Sequence, residues 1–192
     1  MIGFVGGLGT KAGMGIVNKW LHSKDREHDA AYPEYVYFNI VSDIGVNADI
    51  RDDSICKIKN AVDRLKAIGC THIFVLCNTV HIYYDMWAND CCINWVKTFV
   101  IPEGYKILAS EESKEHNLYA GEYYFDQNSV NMLIENGISN KPCYISPADN
   151  IFNVKAALCC TELSIFTKFF PTRIDCADHI VAILNEIEDQ HR

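Results

Sequence analysis

The run His72-Ile73-Phe74-Val75-Leu76-Cys77-Asn78-Thr79 decides the fold. Its first five residues form a continuous apolar stretch with no alternation, which reads as a strand buried on both faces. Upstream, Ser54 to Ile68 carries Ile55, Ile58, Val62, Leu65 and Ile68 at helical spacing. Asp53 or Ser54 is placed to cap that helix and Gly69 to end it. Downstream, Asn78 or Thr79 opens another helix. Strand and helix in alternation imply a mostly parallel sheet covered by helices.

Working outward, Ile2 to Val5 is a short strand running into Gly6-Gly7-Leu8-Gly9. Lys11 to His22 follows as a helix with Met14, Val17 and Leu21 on its apolar face. Tyr35 to Val41, aromatic and β-branched, is a second strand. The pattern restarts after Pro102-Glu103-Gly104. Tyr105 to Ala109 is a strand, Ser110 to Ser113 a polar turn, and Asn153 to Leu158 a strand that ends at Cys159-Cys160. Pro171 to Asp175 is the last strand. Ala177 to Glu188 is a helix with Ile180, Ile183, Leu184 and Ile187 on one side. Ala120 to Asn150 has no assignable pattern. The halves echo each other, strand, small-residue loop, later strand, cysteine, with the second copy shorter.

The chain has 192 residues, 49% hydrophobic and 22% charged, the balance of a folded globule rather than a disordered segment. Seventeen Lys and Arg against 25 Asp and Glu leave a net charge of −8. That excludes nucleic acid as a bulk partner, which needs a dense basic footprint. No apolar run approaches the roughly 18 residues of a membrane span. Met1 to Thr10 lacks a basic start and is broken by glycines, so no signal peptide is read there and a cytoplasmic location is expected. Nine cysteines occur without any C-x-x-C, so the usual zinc spacings are missing and no metal is expected. Inside a cell these thiols stay reduced, and most are small buried hydrophobes.

Ligands of an open parallel sheet sit outside the carboxyl ends of its strands. Cys77 and Cys160 both fall on that edge. A thiol just before a helix start feels exposed N–H groups and the positive end of the dipole, which lowers its pKa. Asn78, Thr79 and Thr161 add short polar side chains and N–H groups that can hold a carboxylate. Two such thiols across a carboxylate can take a proton from one face of an α-carbon and return one to the other. Packing is the commoner role for each cysteine singly; two in matched contexts bring packing and chemistry to an even balance.

Phe74-Val75-Leu76-Cys77-Asn78-Thr79-Val80-His81 resembles the C-N-T-A-H motif of aspartate racemases. Ala157-Leu158-Cys159-Cys160-Thr161-Glu162-Leu163 resembles their G-C-T-E motif, and Ile2 to Gly9 their first strand and G-G-M-G loop. The ordered set resembles the aspartate/glutamate racemase superfamily over 1–110 and 154–188, with His81 and Glu162 pointing to the aspartate branch. The resemblance implies an α/β fold of two flavodoxin-like lobes with parallel sheets, the second shortened, and an active site in the cleft between them. The lobes would be 1–103 with the returning 175–192, and 104–174. It implies a racemase without cofactor, acting on an acidic amino acid, with a homodimer as one option for its assembly. Cys77 and Cys160 would be the catalytic pair. Gly7, Gly9, Arg51, Asn78, Thr79, Ser110 and Thr161 would bind substrate, and His81 and Glu162 would tune the thiols. The sequence departs from the pattern where Thr10 and Gly13 replace a Pro and a Thr, and where Cys159 replaces a Gly.

Other readings compete. Gly7-Leu8-Gly9-Thr10-Lys11-Ala12 fits a dinucleotide fingerprint, G-x-G-x-x-A, but the nearest strand-end acid, Asp43, is too far along for a tight unit. Lys11 and Lys155 read as solvated charges, Cys91-Cys92 and Tyr123-Tyr124-Phe125 as packing. A carboxylate-binding relative without turnover is the alternative function.

Overall fold

A computed structural model describes residues 1–28, 31–40, 48–123, 155–161, 163 and 170–190, without the side chains of 48–51 and 111. In the first sheet β1 (Ile2–Gly6) lies between β2 (Tyr35–Asn39) and β3 (His72–Val75). In the second, β4 (Lys106–Leu108) lies between β5 (Glu122–Tyr123) and β6 (Ala156–Leu158), with β7 (Arg173–Asp175) beyond β6. Every pairing is parallel. This is the expected pair of flavodoxin-like sheets. Each half places its first strand centrally, its second on one side and its third on the other, so the echo read along the chain is an echo of topology.

Burial explains why β3 has no alternation. Phe4, Phe74 and Leu76 pack on one face of the first sheet with Ile16, Val17 and Trp20 of α1 (Thr10–Leu21). Val5, Ile73 and Val75 pack on the other with Ile55, Ile58, Val62 and Leu65 of α2 (Ala48–Ala67). Neither face meets water, so neither carries a polar set.

Three local expectations change. Helix α2 starts at Ala48, not near Ser54, so Asp53 and Ser54 are helix residues: Asp53 pairs with Lys57 one turn on, and Ser54 is buried. Its end is as expected. Gly69, at φ 94°, turns the chain so that its N–H reaches Lys66 O and the Cys70 N–H reaches Leu65 O. Met14 is exposed rather than apolar-facing, because the buried stripe of α1 runs through Ala12, Gly13, Ile16, Val17 and Trp20 and Met14 lies opposite Ile16. Ser110 to Ser113 is no simple turn: Ser110 is the N-cap of a short helix, α5 (Glu111–Glu115). The strand at Glu122–Tyr123 emerges from the stretch with no readable pattern; 124–150 lie outside the described residues, as do Val41, Asp43, Asn153 and Val154.

The last helix, α6 (Cys176–Gln190), begins on the second sheet and returns to the first half. Asp175 Oδ1 accepts the Ala177 N–H at 2.9 Å and caps its start. Ile180, Leu184 and Ile187 then enter the core shared with α1. Arg26 Nη2 donates to Glu188 at 2.8 Å, both side chains almost wholly buried, while Lys24 meets Asp189 and Lys19 meets Asp178 at the surface.

Candidate functional site

Strand register sets the two cysteines in equivalent places. Val5 pairs with Val75, so Gly7 and Cys77 each lie two residues past a paired position. Leu108 pairs with Leu158, so Ser110 and Cys160 do the same in the second sheet. Both thiols are therefore at carboxyl ends of parallel strands flanking the central strand of their sheets, where such sheets bind ligands. Both residues are largely buried, 8% and 9% exposed.

The chain leaving β3 is held by three separate elements. Its carbonyls have run past the sheet and need other donors. Trp95 Nε1, from α4 (Trp95–Thr98), donates to Val75 O at 2.9 Å. Thr161 Oγ1 donates to Leu76 O at 3.3 Å, and His81 Nδ1 to Cys77 O at 2.8 Å. The Thr161 bond matters most for the site. It joins the residue after Cys160 to the residue before Cys77, so the two cysteine segments lie side by side although they belong to different sheets. On the second side, Tyr119 Oη donates to Cys159 O at 3.1 Å and the Leu163 N–H to Cys160 O at 2.9 Å.

Asn78 and Thr79 meet the second half directly. Asn78 Nδ2 donates to Ser113 Oγ at 3.1 Å, Ser113 Oγ and Ser110 Oγ are 2.8 Å apart, and Ser110 Oγ is 3.1 Å from Thr79 Oγ1. Thr79 Oγ1 faces Asn78 Oδ1 at 3.5 Å, closing a ring of four side chains. Asn78 and Ser113 form its buried side, Thr79 and Ser110 its more open side. Ser113 was not among the expected site residues. The signal was present, since Ser-x-x-Ser straight after a strand is an N-cap pattern. Tyr83 was also missed: its Oη donates to Glu112 at 3.0 Å and its ring meets His116, another tie between the halves.

His81 lies behind the site. Its ring is enclosed by Tyr84, Trp87 and Trp95, with Trp87 Nε1 itself donating to Val80 O. Because a carbonyl can only accept, Nδ1 carries the proton, and the buried Nε2 has no hydrogen-bond partner among the described residues. Burial lowers its pKa from 6.5 to about 4, against the opposing pull of the Cys77 and Asn78 main chain. His81 is thus a neutral ring gripping the Cys77 backbone. The helix expected at Asn78 or Thr79 is only a 3₁₀ turn, Thr79–Tyr83, followed by the single turn α3 (Tyr84–Trp87). So short an element carries little dipole, and the site relies on individual donors.

The remaining expectations divide. Gly7 has φ 98°, and a Cβ there would stand 1.6 Å from Ile40 O, so the chain leaving β2 requires this glycine. Gly9, at φ 136°, is the N-cap position of α1. The close approach of the Ile40 backbone is a packing reason for Gly7. Arg51 falls in α2, its side chain outside the described residues, as is Glu162. Lys11 and Lys155 are exposed. Cys159 is fully buried in the core; burial first, then Cys160 and Asp175, pushes its thiol pKa well above the usual range. Cys91 and Cys92 are half-buried, and burial raises Cys92 to about 11. Tyr123 packs as expected and donates to Ser113 O at 3.0 Å; Tyr124 and Phe125 lie outside the described residues. Among the described residues no cluster of three or more His, Cys, Asp or Glu is arranged to hold a metal ion, and no helix is long and apolar enough to cross a membrane.

No protein-family model and no curated protein sequence matches the chain. Solved structures do. The aspartate racemase of Picrophilus torridus superposes with a TM-score of 0.77 at 19% identity, over 98% of this chain and 94% of that one. Glutamate racemase from Francisella tularensis, solved with D-glutamate, gives 0.67 at 17% identity over 99% and 81%. Glutamate racemase from Thermus thermophilus, solved with β-chloro-D-alanine, gives 0.61 at 14% over 99% and 80%. With two parallel sheets and superposition over nearly its whole length, the chain has the fold of the aspartate and glutamate racemases.

Proposed function

We propose that the protein is a cofactor-independent racemase of an acidic amino acid, of the aspartate type, with Cys77 and Cys160 as its two bases. The observation that carries this reading is the Thr161–Leu76 hydrogen bond, which sets the two cysteine segments side by side at equivalent strand ends. An α-carbon between two thiols can be approached from both faces. In one direction the Cys77 thiolate takes the Cα proton, the C–H electron pair delocalises into the adjacent carboxylate, and the Cys160 thiol returns a proton to the opposite face. The other enantiomer runs the same steps reversed, so each turnover consumes no redox equivalent and leaves the protons balanced. Hydrogen bonds from the main-chain N–H groups of Asn78, Thr79 and Thr161 to the substrate carboxylate would stabilise the charge that develops there. His81 fixes the Cys77 main chain; Arg51, near the start of α2, and Glu162 remain candidates for the side-chain carboxylate and for tuning Cys160.

The test is racemisation of L- and D-aspartate in deuterium oxide without metal or pyridoxal phosphate. A two-base enzyme puts solvent deuterium into the product enantiomer early, while the substrate pool stays light. Cys77→Ala and Cys160→Ala should each cost about 10²- to 10⁴-fold in rate, the usual worth of a positioned acid or base. Cys159→Ala should keep most of it. Equal early labelling of both enantiomers defeats the two-base scheme, and absence of turnover on any acidic amino acid leaves the protein a carboxylate binder.

A further inference from the structure

We infer that the outer edge of β2 is a docking site for an extended acidic peptide of a partner protein, which adds a strand to the first sheet and sets its carboxylates against α2. The inference is independent of the racemase reading and starts from strand register. The Ile2 N–H donates to Glu34 O, and the Ile40 N–H donates to Gly6 O. Backbone direction alternates along a parallel strand, so the even-numbered residues of β2 turn their N–H and C=O groups to β1. Tyr35, Tyr37 and Asn39 therefore turn theirs away from the sheet. Among the described residues β2 has no neighbouring strand on that outer side. A row of such donors and acceptors is a template for one more strand.

Beside this edge runs a groove of about 350 Å³, bounded by Tyr37 to Ile40 on the strand and by Lys57, Asn60 and Arg64 on the helix. Four strand residues span roughly 13 Å, the reach of an extended chain rather than of a compact ligand. The three helix residues, spaced three and four apart, share one face of α2. Arg64 Cζ lies 4.8 Å from the centre of the Phe38 ring. Among the described residues its guanidinium makes no hydrogen bond or ion pair, and the Asn60 amide makes no hydrogen bond. The ring contact restrains the guanidinium without using its N–H fork, which is left for a bidentate carboxylate. Lys57, paired with Asp53, adds a second cation, and no carboxylate is among the residues that line the groove. Side chains of an added strand alternate between faces, so acids at every second position meet α2. A second copy of the chain is a poorer occupant. Pairing β2 antiparallel with its twin about a two-fold axis sets the two α2 helices on the same face, cation against cation.

The experiment titrates the full chain into a short dye-labelled peptide of alternating glutamate and threonine and follows fluorescence anisotropy. Binding should saturate, and the matched peptide with glutamine for glutamate should bind about tenfold more weakly. Arg64→Ala should cost the glutamate peptide about tenfold. Arg64→Glu should lose that peptide and favour its lysine counterpart. Arg64 is exposed, so both variants should keep the wild-type circular dichroism. N-methylation of one alternate set of peptide residues, the set that turns its N–H to β2, should abolish binding, and methylation of the other set should spare it. No saturable binding by wild type, equal affinity for the glutamine peptide, indifference to both Arg64 variants, or binding that survives methylation of either set would each overturn the inference. A dimer in light scattering that excludes the peptide would assign the edge to a second copy and overturn it as well.

Discussion

Protonating His81 should destabilise the fold, and the size of the effect can be worked from its cage. The ring is buried among Tyr84, Trp87 and Trp95 and its pKa is lowered to about 4, against 6.5 in an open chain. Between those values the unfolded chain binds a proton that the folded one refuses, so acid favours unfolding. Stability from this group is complete above pH 6.5 and is lost as the pH falls toward 4. Linkage gives a loss of about 2 kcal/mol at pH 5 and about 3 kcal/mol at pH 4, relative to neutral pH. The assay is urea unfolding of wild type and His81→Asn across that range. Asn can keep a side-chain N–H near the Cys77 carbonyl but does not titrate. The variant starts less stable at neutral pH because it is smaller, yet its stability should fall less steeply with acid, by those amounts. Parallel pH profiles for the two proteins would refute the reasoning.

Two further outcomes follow from packing. Gly7→Ala should cost at least about 2 kcal/mol, because it combines a positive φ with a Cβ placed against the Ile40 carbonyl; a urea midpoint close to wild type would count against this. Arg26→Ala should cost about 3 kcal/mol by breaking a buried ion pair with Glu188, whereas Lys19→Ala, losing an exposed partner in Asp178, should cost less than about 0.5 kcal/mol. Thermal melts of the pair of variants would check the contrast, and equal shifts would contradict it.

What could be read along the chain was what local physics dictates. β3 was legible because burial on both faces leaves a continuous apolar run, and the Gly69 stop because a positive φ selects glycine. The strand-end positions of Cys77 and Cys160 followed from those strands. The early start of α2 was not legible, since Asp53 and Ser54 are good caps that here serve as helix residues. Met14 misled because apolar residues are also tolerated outside. Ser113 and Tyr83 were missed for another reason. Their roles depend on partners in the opposite half, Asn78 and Glu112, and spacing along one segment carries no record of such pairs.

The return of α6 onto α1 has a consequence for how the chain acquires its structure during synthesis. Ser23 and Lys24 bond to Asn185 and Asp189 across more than 160 residues, among the longest loops the chain closes. Until residues 176–190 emerge, one flank of α1 and the apolar surface that Ile180, Leu184 and Ile187 later cover remain open to water. A nascent first half can form its own strand pairs but cannot complete its core. Contacts so distant in sequence slow folding, because the entropy of closing the loop is lost before the contact stabilises anything. The exposed surface is meanwhile a site where other unfinished chains, or a chaperone, can bind.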